Sequence, residues 1–118
     1  MSEIRTIVKL KEFEKQCEYL GLDDEDMRQI ENIVMCNTTI GKIIQGTGGA
    51  RKMRIPLAGK GKSGGGRVIY IDFAYYEKLY LLAIYSKKSQ DNMSKAYINA
   101  LKTLIKGIEA MEQRQRMR

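Results

Sequence analysis

Arg51, Lys52 and Arg54 stand within four residues of one another, and Lys60, Lys62 and Arg67 follow within the next thirteen. Side chains of this kind bind phosphate oxygens, and a guanidinium binds two at once. Histidine is absent from the chain, so the histidine pair that many ribonucleases use for proton transfer is excluded. The same stretch is rich in glycine. Gly59, Gly61 and Gly64 match the G-x-G-x-x-G spacing, and Gly61, Lys62 and Ser63 give the end of a P-loop. Both motifs hold phosphates on the amides that open a helix. Here Pro56 stands where a P-loop needs glycine, and the residues after the glycines, GGRVIYIDF, read as a strand. A protein-kinase glycine loop lies between strands, but the chain is too short for a kinase and has no H-R-D motif. No nucleotide cofactor is therefore expected. The glycines suit a hairpin connection, LAGKGKSGG, that carries Lys60 and Lys62 between two strands.

The charge distribution points to a partner. The 118 residues carry a net charge of +7. Between Asn32 and Ile71 there is no Asp or Glu, and seven basic residues lie there: Lys42, Arg51, Lys52, Arg54, Lys60, Lys62 and Arg67. Elsewhere 14 basic residues balance 14 acidic ones. A solvated face that serves only solubility mixes both signs, whereas a one-signed segment makes a field suited to a polyanion. Charges interrupt every apolar run, and Glu3, Arg5 and Lys9 break up the start, so neither a membrane span nor a secretory leader is expected. That reading places the protein in the cytoplasm. Cys17 and Cys36 sit in apolar patterns and read as buried thiols. Two cysteines without histidine make a poor zinc site, so no metal or other cofactor is expected.

Residues of this kind must be held by a small α+β domain. RTIVKL (5–10) reads as a strand. KEFEKQCEYL (11–20) places Phe13, Cys17 and Leu20 at helical spacing, with Gly21 as a stop. A second helix follows over 22–36, with Asp23 to Asp26 at its start and Met27, Ile30, Ile33 and Val34 on one stripe. Residues 37–49 read as irregular. ARKMRIPL (50–57) alternates like a strand that ends near Pro56, and Lys52 and Arg54 share one of its faces. GGRVIYIDF (65–73) and KLYLLAIYSK (78–87) are strands apolar on both faces, hence central. Ser94 caps a last helix, and the basic tail from about 112 is expected to fray. Tyr70 and Tyr85 read as core rather than as bases, and Met27, Met35 and Met53 as filler. The whole chain reads as one domain.

The segment IQGTGGARKMRIPLAGKGKSGGGRVIYI, followed by KLYLLAIYSKKSQDNMS, resembles the RelE/HigB superfamily of type II toxin–antitoxin toxins. In HigB-like members the pattern is G-T-G-G-x-R-K-x-R, then G-K-G-K-x-G-G-x-R-V-I-Y-Y. The resemblance runs from about Arg5 to Ile108. It implies the RelE-like microbial RNase fold: a small antiparallel sheet of about four strands, two N-terminal helices packed on it, and a C-terminal helix. It implies ribosome-dependent endoribonuclease activity, an mRNA interferase that inhibits translation by cutting mRNA in the decoding site through attack of the RNA's own 2′-hydroxyl. The partners so implied are the ribosome, mRNA and a cognate antitoxin of the helix-turn-helix kind.

By motif position Lys52, Arg54, Arg67 and Lys87 carry the catalytic roles. A lysine serves as base only where its neutral form is favoured, which makes Lys52, beside Arg54 and Arg67, the candidate. Arg67 is the phosphate clamp. Lys42, Arg51, Lys60, Lys62 and Lys88 are expected to contact RNA or the ribosome. The family's lysine-asparagine-glutamate after the last strand is Lys87, Lys88 and Ser89 here, and CNTTIG lacks the asparagine-proline turn. Two other functions fit the same fold: a non-catalytic module that binds RNA or the ribosome, and a ParE-like gyrase poison. Retention of Lys52, Arg54, Arg67 and Lys87 favours the nuclease.

Overall fold

The computed structural model describes residues 4–57, 65–87 and 93–117. Strand β1 (Thr6–Lys9) leads into helices α1 (Lys11–Tyr19) and α2 (Asp24–Met35). Strands β2 (Lys42–Ile43), β3 (Arg51–Ile55), β4 (Gly66–Phe73) and β5 (Lys78–Ser86) follow, and helix α3 (Lys95–Arg116) ends the fold. The helix starts are capped as their side chains dictate. Asp23 accepts from the Asp26 amide, and Asp26 reciprocates on the Asp23 amide, at 2.8 and 2.9 Å. Ser94 accepts from the Tyr97 amide at 3.0 Å.

The five strands form one sheet in the order β1-β5-β4-β3-β2. The expected α+β architecture is present, with two differences. A fifth, two-residue strand, β2, closes the edge beyond β3, inside the segment read as irregular. β1 runs parallel to β5, while every other pairing is antiparallel.

β4 and β5 are apolar on both sides because both sides are covered. On one face Phe13 and Cys17 of α1, with Ile30 and Val34 of α2, pack against Met53, Val68, Tyr70, Leu79 and Leu81. Met27 and Met35 join this cluster. On the other face Leu101, Ile105 and Ile108 of α3 pack against Ile44, Ile69, Ile71, Tyr80 and Ala83. A bulge lets the pattern switch: Ile69 pairs with Ala83 but Tyr70 with Leu81, so Leu82 is extra and joins Ala83 on the α3 face. Cys36 is exposed rather than buried, since α2 ends one residue before it.

Ion pairs tie the outer elements to this frame. Arg5 Nε donates to Asp72 at 2.7 Å. Glu112, 3% exposed on α3, accepts from Lys78 Nζ with both carboxylate oxygens at 2.9 Å and also from the Tyr80 hydroxyl. That anchorage explains why α3 continues to Arg116, through the segment expected to fray. Burial alone would raise the Glu112 carboxyl. The hydrogen bonds from Tyr80 and Lys78 and the charge of Lys78 outweigh it and hold the carboxyl below its ordinary range. Burial, then the contact with Glu112, pushes the Tyr80 hydroxyl up.

A carboxyl lowered on folding stabilises above its unfolded pKa, about 4.3 for glutamate, and loses that contribution as pH falls through the folded value. Glu112→Gln should therefore cost about 1–3 kcal/mol near neutral pH. The difference in Tm between the two proteins should shrink steadily as melts are repeated below about pH 4.3. A gap that is constant with pH would mean that packing, not charge, anchors the end of α3.

Candidate nucleic-acid interface

The register of β3 on β4 gathers the cations. Arg54 stands opposite Arg67, Lys52 opposite Ile69, and Met53 opposite Val68. Ile69 belongs to the α3 face, so Lys52, Arg54 and Arg67 lie on that face too. β2 adds Lys42 directly across from Lys52. On the other side of β4, Arg67 pairs with Tyr85. The result is a row running Arg54–Arg67–Tyr85 across three strands, beside the pair Lys42–Lys52. Ile40, Gly41, Lys42, Lys52, Met53, Arg54 and Arg67 line a hollow of about 490 Å³. Among the described residues, its lining has four cations and no carboxylate.

The groups differ in how firmly they are held. Arg67 is only 6% exposed, and its Nη1 donates to the Gly66 carbonyl at 3.0 Å. Lys52 is half-buried, and Arg54 and Lys42 are exposed. Like charges placed directly opposite destabilise a sheet. The Lys42–Lys52 and Arg54–Arg67 pairings thus gather positive charge in one place, an arrangement that suits an anionic ligand.

The hollow's wall is built from the opposite face. Tyr70 is fully buried there; its hydroxyl accepts from the Gly41 amide at 3.2 Å and donates to the Thr38 carbonyl at 2.9 Å. Burial pushes this hydroxyl up, against the opposing effects of the Gly41 hydrogen bond and Arg51. Tyr70 is thus a strut, as its strand pattern implies. Arg51, opposite Tyr70, donates to the Gly41 carbonyl at 2.7 Å and the Thr39 carbonyl at 3.2 Å. Its guanidinium braces the turn that carries Ile40 and Gly41.

Of the residues singled out in the sequence, Lys42, Lys52, Arg54 and Arg67 meet in the hollow. Lys87 is exposed just past β5 and outside the lining; its amide donates to the Gly65 carbonyl at 3.0 Å. Lys60, Lys62 and Lys88 lie outside the described residues. Sequence pattern did not single out Ile40 and Gly41, because their place depends on Tyr70, twenty-nine residues beyond Gly41. The Arg67–Tyr85 pairing was equally hidden, since the bulge decides that register.

Among the described residues, no helix is long and apolar enough to cross a membrane. Of the glycine-rich stretch, Gly59, Gly61 and Gly64 lie outside the described residues, and β4 begins at Gly66. A family model described as "RelE toxin of RelE / RelB toxin-antitoxin system" matches residues 5–118.

Gly65 holds the strand ends in place. Its φ is +72°, and a Cβ there would lie 2.4 Å from the Ile55 carbonyl oxygen. Gly65→Ala should cost about 2 kcal/mol or more, since a left-handed conformation alone costs about 1–2 kcal/mol and the clash is with backbone. Chemical denaturation checks this. A loss below about 0.5 kcal/mol, the range of an ordinary surface substitution, would mean that the β3–β4 closure relaxes freely.

Proposed function

The chain belongs to the RelE toxin family of toxin–antitoxin systems, and on that premise we propose that it is a ribosome-dependent endoribonuclease that cuts mRNA in the decoding site. The observation that carries the reading is the hollow in which Lys42, Lys52, Arg54 and Arg67 converge, with no carboxylate among the described residues that line it. A phosphodiester passing through a pentacoordinate state gains negative charge, and fixed cations stabilise that charge without reordering.

The reaction needs no metal and no added nucleophile. The 2′-oxygen bonds to the adjacent phosphorus while the bond from phosphorus to the 5′-oxygen breaks. The proton of the 2′-hydroxyl goes to a base, and an acid delivers one to the departing 5′-oxygen. Arginine stays protonated in proteins, so a lysine is the candidate base, and Lys52, on the strand beside Arg54 and facing the Arg67 strand, is assigned that role. Arg67 takes the non-bridging oxygens, since its direction is set by a central strand and its guanidinium is almost wholly enclosed. Arg54 adds charge from the facing strand. Lys87, where the hairpin ends meet, is assigned to the leaving-group side. Lys42 and Lys88, with Lys60 and Lys62, bind the RNA and ribosome backbone.

The ribosome supplies what the protein lacks. An open hollow on a 118-residue chain does not orient a flexible strand by itself; the decoding site does, and orientation carries much of such a barrier. The cognate antitoxin, a helix-turn-helix protein in this reading, covers the same cations with an acidic or amphipathic segment.

Mapping mRNA 5′-ends after induced expression tests the reading. Cuts at a fixed codon position, confined to translated messages, are expected. Rapid, site-specific cutting of protein-free RNA by purified protein would count against ribosome dependence. On programmed ribosomes at saturating protein, Arg67→Ala should lower the single-turnover rate about 10²-fold or more, the scale for losing one such donor. Lys42→Ala should mainly weaken binding and flatten its salt dependence. If Arg67→Ala cuts at the native saturated rate, the catalytic assignment is wrong.

A further inference from the structure

At the far end of β4 from the cations, a second cluster is arranged around an exposed ring. The turn Ala74–Tyr76 joins β4 to β5 and puts Tyr75 at its tip, 71% exposed. Arg116 of α3 lies over that ring, with its guanidinium carbon 4.5 Å from the centroid. Tyr76 meets Tyr75 edge-on at 5.1 Å, Phe73 meets Tyr76 at 6.1 Å, and Tyr80 meets Phe73 at 5.8 Å. This chain of rings runs inward to the Tyr80–Glu112–Lys78 contact, so the exposed member rests on a fixed support. Tyr75, Tyr76, Gln113, Arg116 and Met117 line an open hollow of about 550 Å³.

The core does not need Tyr75. Phe73 and Tyr80 fill the space under α3, and Tyr75 leaves most of its surface in water. An aromatic ring with a guanidinium over one face and most of its surface still in water, and an amide at the rim, form a set suited to an unpaired nucleobase. The ring stacks on the base, the cation draws the phosphate, and Gln113 offers both a donor and an acceptor to the base edge. Arg116 supplies the cation of this hollow, the described residues that line it include no carboxylate, and the charge of Glu112 is committed to Lys78. The charge favours an anionic partner, and the exposed ring, which can stack on a base, favours a nucleic-acid strand over an acidic peptide.

We propose that Tyr75 and Arg116, with Gln113, form a second RNA contact that stacks one unpaired base, at the opposite end of the sheet from the cleavage hollow. Six residue steps along β4 separate Arg67 from Phe73, roughly 20 Å of strand. A strand or ribosomal segment held at both ends is constrained in rotation as well as position. This inference rests on the reading that the protein works on RNA.

Fluorescence anisotropy with the full-length protein tests it, using a short single-stranded RNA and the same strand made abasic. Tyr75→Ala should weaken binding of the base-bearing strand about 5-fold or more, the scale of one lost stack, and leave the abasic strand unchanged. Tyr75→Phe, which keeps the ring, should bind like the native protein. Equal effects on both strands, or none on either, overturn the proposal. Repeating the measurement on small ribosomal subunits separates the sources. A loss without message assigns the base to ribosomal RNA, a loss only with message assigns it to the message, and a loss in neither overturns the contact. If Tyr75→Ala instead weakens only antitoxin binding, the surface serves a protein and the proposal fails. Native cleavage on programmed ribosomes, measured alongside, keeps the two readings apart. Should it occur while Tyr75→Ala binds normally, only this contact is lost; should it be absent, the nuclease reading falls independently.

Discussion

The register of β3 on β4 is the constraint on which the rest of the molecule depends. Side chains alternate along a strand with period two, so a slip of one residue would move every cation to the opposite face. In the observed register Lys52, Arg54 and Arg67 share the face that α3 covers only in part. In the slipped one they would enter the cluster of Phe13, Val34 and Leu79, where an unpaired charge is prohibitively costly. Burial on the α1–α2 side thus selects the register, and the register builds the hollow. Gly65 and Gly66 complete it, because the strand ends approach too closely for side chains there.

The hollow concentrates like charge. Arg54 faces Arg67 and Lys42 faces Lys52 directly across the sheet, and the described residues that line the space include no carboxylate. Several ion pairs lie elsewhere. Arg5 meets Asp72, Lys9 meets Glu31, and Lys78 meets Glu112, all away from the cation row. Two buried clusters, one on each side of β4 and β5, offset the repulsion. The register therefore concentrates positive charge at one end of the sheet, which suits it to a phosphate backbone.

β4 links the two ends of the sheet. It begins at the buried guanidinium of Arg67 and ends at Phe73, which backs the exposed ring of Tyr75 through Tyr76. Both ends lie at the margins of α3, whose buried residues cover the middle of the sheet. Truncating the anchorage at Glu112 therefore bears on the aromatic end first, and reaches the cations only through global stability.

Much of the fold was legible in the sequence. The acidic start of α2, the cap at Ser94, the apolar stripes of the three helices and the double-sided apolar runs of β4 and β5 are local patterns, and local physics produces them. The cation row was legible in type and in parity: Lys52 and Arg54 alternate with Met53, and Arg67 opens the next strand. Tertiary structure alone decided the remainder. Alternation says that two residues share a face, not which face, nor that α3 leaves that end open. The parallel pairing of β1, the short strand β2 and the bulge at Leu82 depend on partners far along the chain. So do the bracing of Gly41 by Tyr70 and Arg51, and the burial of Glu112 under Lys78 and Tyr80. Periodicity records how a segment meets water and core, whereas these contacts record which segments meet each other, and only the folded chain contains that information.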